Sequence, residues 1–410
     1  MPKTDRQKER AIQENRTAEI TLEVVAEDGR PLSNQPVEVE QTRHRFLFGC
    51  NAYRLFRIED PELQQAYEER FADLLNFATF PFYWGSYEPE PGEPQTDSRH
   101  EMARWCRSHH IRPKGHPLCW HEVPAPWLED APVDEVADRQ MQRIEREVSE
   151  FAGEIDTWDV LNEGVVMPTE KWSGTPVGRL CGEIGAVELI KRCFERARAA
   201  NPDATLLLND YIVTEKYADL IERCLDAGVE IDVIGIQSHQ HAGYWGAEKA
   251  WEVCERFAGF DLPLHFTETT LLSGHLKTDD DWKNRDEDWP STPEGEARQA
   301  EQTVEFYRTL FSHPSVEAIT WWDFSDYGAW MGAPAGFLRK DMSPKPVCEA
   351  LHDLIKNQWW TGPLDLTSND EGQVTFRGFL GEYEITAGSQ TTTFRTEAPG
   401  KLAPVRCCLR

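Results

Sequence analysis

Trp158-Asp159-Val160-Leu161-Asn162-Glu163 is an apolar run that ends in an amide and a carboxylate, the composition of a buried strand whose last residues emerge from a sheet. A second such run, Leu262 to Thr267, leads through His265-Phe266-Thr267 into Glu268. One glutamate in such a place does no more than end a strand, since strand ends meet solvent. Two on parallel strands of one sheet share a rim, and that sharing governs how the rest of the chain reads.

Outward from these two, short apolar runs alternate with amphipathic stretches. The strand candidates are Arg45 to Gly49, Leu75 to Phe80, Arg112 to Cys119, Ile155 to Leu161, Thr205 to Asn209, Val233 to Ser238, Leu262 to Thr267 and Ala318 to Phe324. Helical periodicity fills Pro61 to Leu74, Ser98 to His109, Val133 to Phe151, Gly185 to Ala200, Tyr217 to Ala227, Ala247 to Phe257 and Glu294 to Phe311. Strands joined by crossover helices predict an α/β fold, a closed (β/α)8 TIM barrel over residues 45–358, with its site at the strands' carboxyl ends.

The termini read differently. Ala18 to Val25 and Pro36 to Gln41 alternate apolar and polar around Glu27-Asp28-Gly29-Arg30, and Gln373 to Phe376 and Glu382 to Ala387 follow Asn369-Asp370-Glu371-Gly372. Neither end has enough strands for a sandwich alone. Residues 17–44 and 359–400 resemble the two halves of a prealbumin-like module, so one small accessory β-sandwich built from both termini is expected. Two unrelated decorations are the competing reading.

The net charge of −29 repels polyanions, so neither nucleic acid nor an anionic membrane is an expected partner and a neutral substrate is. Fifteen tryptophans supply flat faces that stack on sugar rings or fill a core. The ten cysteines have no metal-ligand spacing, which argues against a zinc ribbon or a disulfide framework. Met1 to Arg16 is charged and lacks the apolar core of a secretory leader, so a cytoplasmic setting is expected, or a secreted one if a leader has been removed. The acidic stretch Asp279-Asp280-Asp281 through Asp288, with Trp282 and Trp289, falls on the site's face as a solvated loop or a lid that touches substrate, without the spacing of an EF-hand.

Collected by strand, the rim residues are His116, Trp120 and His121, then Asn162 and Glu163, then Asn209, Asp210 and Tyr211, then Gln237 and His239, then Glu268, and last Trp322, Asp326 and Trp330. The ordered motifs Gly115-His116-Pro117-Leu118-Cys119-Trp120-His121, Trp158 to Glu163, Asn209-Asp210-Tyr211, Gln237-Ser238-His239, Thr267-Glu268 and Trp322 to Trp330 resemble those of glycoside hydrolase family 10, the retaining endo-β-1,4-xylanases. The likeness runs from residue 46 to 356. It implies Glu163 as general acid/base and Glu268 as nucleophile. Retaining chemistry asks for the same division, with one carboxyl protonated and one ionised about 5 to 5.5 Å apart.

The resemblance also implies that Asn162 binds the sugar 2-hydroxyl, that His239 orients Glu268, and that Trp322 and Trp330 wall the central sugar site opposite His116 and Trp120. Tyr211 and Gln237 complete the expected substrate-binding set, and the expected partner is a β-linked oligo- or polysaccharide. Neither cofactor nor metal is expected, since His239-Gln240-His241 offers two same-face imidazoles without a third ligand. Structural burial competes for His116, His121, His239 and His241, and core packing for the tryptophans.

Departures from the family pattern cluster on the glycone side. Members carry Glu-Asn-x-Met-Lys-Trp after the second strand, and registered on Trp84 the stretch here is Thr79-Phe80-Pro81-Phe82-Tyr83-Trp84. Thr79, Phe80 and Tyr83 therefore stand for Glu, Asn and Lys, and an altered glycone subsite is expected. Thr270 replaces the usual Asp two residues after the nucleophile, and Ile212 the Asn usual after Asn-Asp-Tyr. The expected activity is retaining hydrolysis of β-1,4-xylosidic bonds in xylan or xylo-oligosaccharides by double displacement. A short, exo-cleaved or aryl β-glycoside is the alternative substrate, and a non-catalytic carbohydrate-binding protein the alternative of another class.

Overall fold

The computed structural model describes residues 4–279, 282, 285–286 and 288–408. The chain begins as a helix, Asp5–Arg16, opened by a capping box in which the Thr4 and Gln7 side chains satisfy each other's backbone N–H groups. Strands β1 (Thr17–Val25) and β2 (Pro36–His44) follow. Eight parallel strands come next: β3 (Leu47–Asn51), β4 (Phe77–Pro81), β5 (Arg112–His116), β6 (Thr157–Asn162), β7 (Thr205–Asp210), β8 (Val233–Ile236), β9 (Leu264–Thr269) and β10 (Val316–Trp321). Because β10 pairs with both β9 and β3, the barrel is closed.

Each barrel strand overlaps a run read from the sequence, with shifted ends. The third run stops at His116 because Pro117 has no N–H to give the ladder, and pairing resumes only as a single bridge between Cys119 and Leu161. Gly115 is required at its place. It pairs with Trp158, and a Cβ there would lie 2.1 Å from the Trp158 ring. The helices cover the barrel through one stripe each; Val133–Glu150 buries Val136, Gln140, Arg143, Ile144, Glu147 and Val148 on a single face. Among the described residues no helix is long and apolar enough to cross a membrane.

The remaining strands are β11 (Leu364–Thr367), β12 (Gln373–Phe379), β13 (Gly381–Ala387), β14 (Gln390–Thr396), β15 (Gly400–Lys401) and β16 (Val405–Cys408). They interleave with β1 and β2. One sheet sets β1 antiparallel to β12 and parallel to β15 and β16, and the other runs β11-β2-β13-β14. Alternate residues of the two sheets, among them Ile20, Leu22, Val24, Val37, Val39 and Ile385, meet in a core separate from the barrel's. Pairing with β1 continues past residue 400, where the module was expected to end, through β16. At the barrel's lower end the buried Arg16 guanidinium donates to the carbonyls of Phe311, His313 and Val316, joining the N-terminal helix to the last barrel strand.

Candidate active site

The carboxyl ends of β6, β7, β8 and β9 carry a continuous web of hydrogen bonds. Asn209, at the end of β7, donates from Nδ2 to Asn162 Oδ1 and to Glu268 Oε1, both at 2.8 Å. Its own Oδ1 accepts from Thr267 at 2.6 Å. Gln237 donates to Asn162 Oδ1 at 3.1 Å and to Glu163 Oε1 at 3.2 Å, and Asn162 Nδ2 reaches the same Glu163 oxygen at 3.2 Å. Trp120 donates its indole N–H to Glu163 Oε2 at 2.9 Å. Glu163 and Glu268 thus hang from one amide network, through Asn162, Asn209 and Gln237, with both oxygens of Glu163 already engaged.

His239 lies 3.1 Å from Glu268 Oε2 through Nε2 and 3.0 Å from the Thr270 hydroxyl through Nδ1. Thr270, standing where the family pattern has a carboxylate, can donate to Nδ1, which leaves the Nε2 proton for Glu268. His116 points Nε2 at Glu268 Oε1 from 4.0 Å while its Nδ1 bonds Asp159 at 2.7 Å. Asp159 is sealed in the barrel and also takes Lys114 at 2.6 Å. Burial pushes that carboxyl up, and Lys114 with His116 outweighs it, so Asp159 stays below its ordinary range.

Burial pushes the Glu163 carboxyl up to about 8, with Trp120 pulling against it and the charges of Asp210 and Glu268 adding to it. Asp210, also buried, is pushed up to about 7 even though the backbone N–H groups of Val165 and Ile212 bind it. A neutral acid beside a second carboxyl is what proton donation to a leaving group requires.

Aromatic rings wall the pocket. Trp322 meets His116 edge-on at 5.4 Å and His239 at 5.7 Å, and Trp330 packs on His239 at 4.8 Å. Tyr83 contacts His116 and Trp120, each at 5.5 Å, and accepts a hydrogen bond of 3.2 Å from Tyr53, whose ring abuts Trp322. Tyr53 was not anticipated, although its place just beyond β3 matches the other rim residues.

Two expected members of the glycone subsite are corrected. On β4, Phe77 packs inside the barrel base against Leu47 and Ala318, so Thr79 two residues on also points inward, below the pocket. Phe80 points the other way, into the apolar layer between strands and helices, and is fully buried. Of the three substituted residues Tyr83 alone walls the pocket. Asp326 is likewise structural: it is buried and paired with Lys345 at 2.7 Å.

Tyr211 is 45% exposed at the rim. The other exposed large apolar residues among those described, Phe56, Val123, Leu276 and Trp282, also lie in segments that follow barrel strands, so apolar exposure gathers on the pocket's face. Trp282 stacks on Trp330 at 6.2 Å, while Trp289 anchors its stretch by donating to the His275 carbonyl at 2.9 Å. Asp280 and Asp281 of the acidic stretch lie outside the described residues. His121, Glu122 and Glu163 bring ligand atoms within 4.8 Å of one another and are the described group with the donor set for a divalent ion.

The family model Glycosyl hydrolase family 10 matches residues 58–354. An anti-sigma-I factor, RsgI6, from Acetivibrio thermocellus is 27% identical over 92% of this chain and 45% of its own length. An endo-1,4-beta-xylanase/feruloyl esterase from Xylanibacter ruminicola is 26% identical over 76% of this chain and 46% of its own. The chain therefore spans less than half of either relative. Xylanase 10B of Thermotoga petrophila, solved with xylobiose, superposes with a TM-score of 0.64 at 21% identity, covering 77% of this chain and 95% of that one.

Proposed function

The chain belongs to glycosyl hydrolase family 10, and from that membership we propose that it is a retaining hydrolase of β-1,4-linked xylose chains, with Glu163 the general acid/base and Glu268 the nucleophile. The web that suspends both carboxyls from Asn162, Asn209 and Gln237 carries this reading. Glu268, oriented by the donors Asn209 and His239, attacks the anomeric carbon as Glu163 passes its proton to the departing glycosidic oxygen. Water then enters. Glu163, now ionised, takes a proton from it, and the covalent bond to Glu268 breaks with a second inversion. In this reading Asn162 meets the sugar 2-hydroxyl, and Trp322, Trp330, His116 and Trp120 enclose the ring. In the same proposal residues 45–358 form the catalytic unit and the flanking segments an accessory module.

One observation favours short or aryl β-glycosides over polymer. Tyr53 and Tyr83, bonded to each other, put apolar surface where the family's cation would read xylose hydroxyls. The experiment follows xylo-oligosaccharide hydrolysis by early proton NMR. The β-anomer is expected as first product, and the α-anomer would exclude double displacement through Glu268.

A further inference from the structure

At the opposite end of the barrel, the first residues of β5, β6, β7 and β8 (Arg112, Thr157, Thr205 and Val233) border a cavity of about 230 Å³ whose other wall is the β-sandwich. Its walls are basic. Arg16, Arg43, Arg45, Arg112 and Arg395 line it against three carboxylates, Glu317, Glu382 and Glu397. Two positive charges remain in excess, in a chain whose net charge is −29.

The carboxylates are already used. Glu317 pairs with Arg45 at 2.8 Å, Glu397 with Arg395 at 2.9 Å, and Glu382 is divided between Arg43 at 3.7 Å and Arg395 at 3.9 Å. Arg16 spends its donors on backbone carbonyls. The Arg112 guanidinium, exposed at the mouth, has no hydrogen bond or ion pair among the described residues. Partial desolvation and then the charges of Arg43 and Arg395 hold Arg112 below its ordinary range, against the opposing charges of Glu382 and Glu317.

A second observation is independent of the arginines. His265, 4% exposed, lines the same cavity, and its Nδ1, shut off from solvent, has no hydrogen-bond partner among the described residues. Guanidinium forks suit tetrahedral oxyanions, and the space holds a phosphate with bridging waters at about 30 Å³ each.

We propose that this cavity is a binding site for a dianionic oxyanion, a phosphate or a small phosphate monoester, which ties the barrel base (Arg45, Arg112, His265) to the sandwich (Arg43, Arg395). The site is independent of the hydrolytic pocket, since β6 alone separates them by a strand length of about 17 Å. Occupancy replaces repulsion between the two units with a shared counter-ion, so the ligand stabilises their docking.

The test is calorimetric titration of the intact chain with inorganic phosphate and, separately, with a hexose 6-phosphate, at ionic strength held constant with sodium chloride so that screening does not change. One saturable site is expected, with a matching rise in Tm. Arg112→Gln and, independently, Arg395→Gln should each weaken binding about tenfold or more while leaving glycoside hydrolysis unchanged. Tighter binding of the ester identifies an organic phosphate as the ligand, and equal or weaker binding identifies free phosphate. Absence of saturable binding of both probes, or binding undiminished in both variants, would overturn the proposal.

Discussion

Glu163 sits at φ 62°, in the left-handed region where a side chain other than glycine costs about 1 to 2 kcal/mol. Its N–H, held at 2.7 Å by the Asn209 carbonyl, keeps it there. The turn delivers the carboxyl into a dry place that raises its pKa to about 8, and two consequences follow with opposite signs. For activity the proton is needed, so kcat/KM on unactivated oligosaccharides should fall as pH rises through about 8. Glu163→Gln should remove that limb along with about 10² to 10⁴ of the rate. For stability, a folded-state pKa above the unfolded value means the contribution is full below the ordinary carboxylate range and lost as pH climbs through about 8. Melting curves should therefore show Glu163→Gln gaining on the parent protein between pH 5 and 8. On aryl glycosides with good leaving groups, Glu163→Ala should still glycosylate Glu268 and accumulate the intermediate by mass spectrometry, whereas Glu268→Ala should be silent on every substrate. Equal loss in both variants would contradict the assignment.

At the scale of the element, β4 and the turn after it separate what a motif can tell from what it cannot. Tyr83→Lys restores the polar group that the family places in the pocket, and kcat/KM on xylo-oligosaccharides should rise. Phe80→Asn, which the motif alignment would favour equally, should instead lower Tm by burying an amide in an apolar layer, at about 3 kcal/mol or more. If Phe80→Asn improved catalysis without loss of stability, the facing drawn for β4 would be wrong. Aligning on Trp84 gives residue order, but the pleat decides which side chain enters the pocket, and one step along a strand reverses it. Strands such as β6, β7, β8 and β9 are legible because each is an apolar run that leads into a polar motif, and Glu163 and Glu268 stand out at the ends of two of them. The helix Asp5–Arg16 is not, since it is charged on most sides and buries only Lys8, Ala11, Ile12 and Arg16. The part Thr270 plays is not legible either: a hydroxyl can fix an imidazole as a carboxylate does, but composition shows only the absent charge.

For the molecule as a whole, the candidate active site and the basic cavity occupy opposite mouths of one barrel, and the sandwich closes the second. Arg16 bolts the N-terminal helix to the barrel, satisfying three carbonyls where the helix Pro293–Ser312 ends and β10 begins. Arg16→Ala should cost about 3 kcal/mol or more by orphaning those groups, seen as a drop in Tm, while KM for short glycosides stays unchanged. A shifted KM without loss of Tm would mean that the lower mouth communicates with the upper.

The pairing of β1 with β12 carries a consequence for synthesis. Thr17 finds Arg377 across 360 residues, and ribosomes add about 5 to 20 residues each second. For something like 20 to 70 seconds, then, the nascent β1 waits with Ala18, Ile20, Leu22 and Val24 facing water and its edge unpaired. The half-made chain is a barrel in progress trailing a sticky strand, so the yield of native protein should depend on how fast the codons for residues 364 to 408 are read and on whether a chaperone holds the first strand until they are.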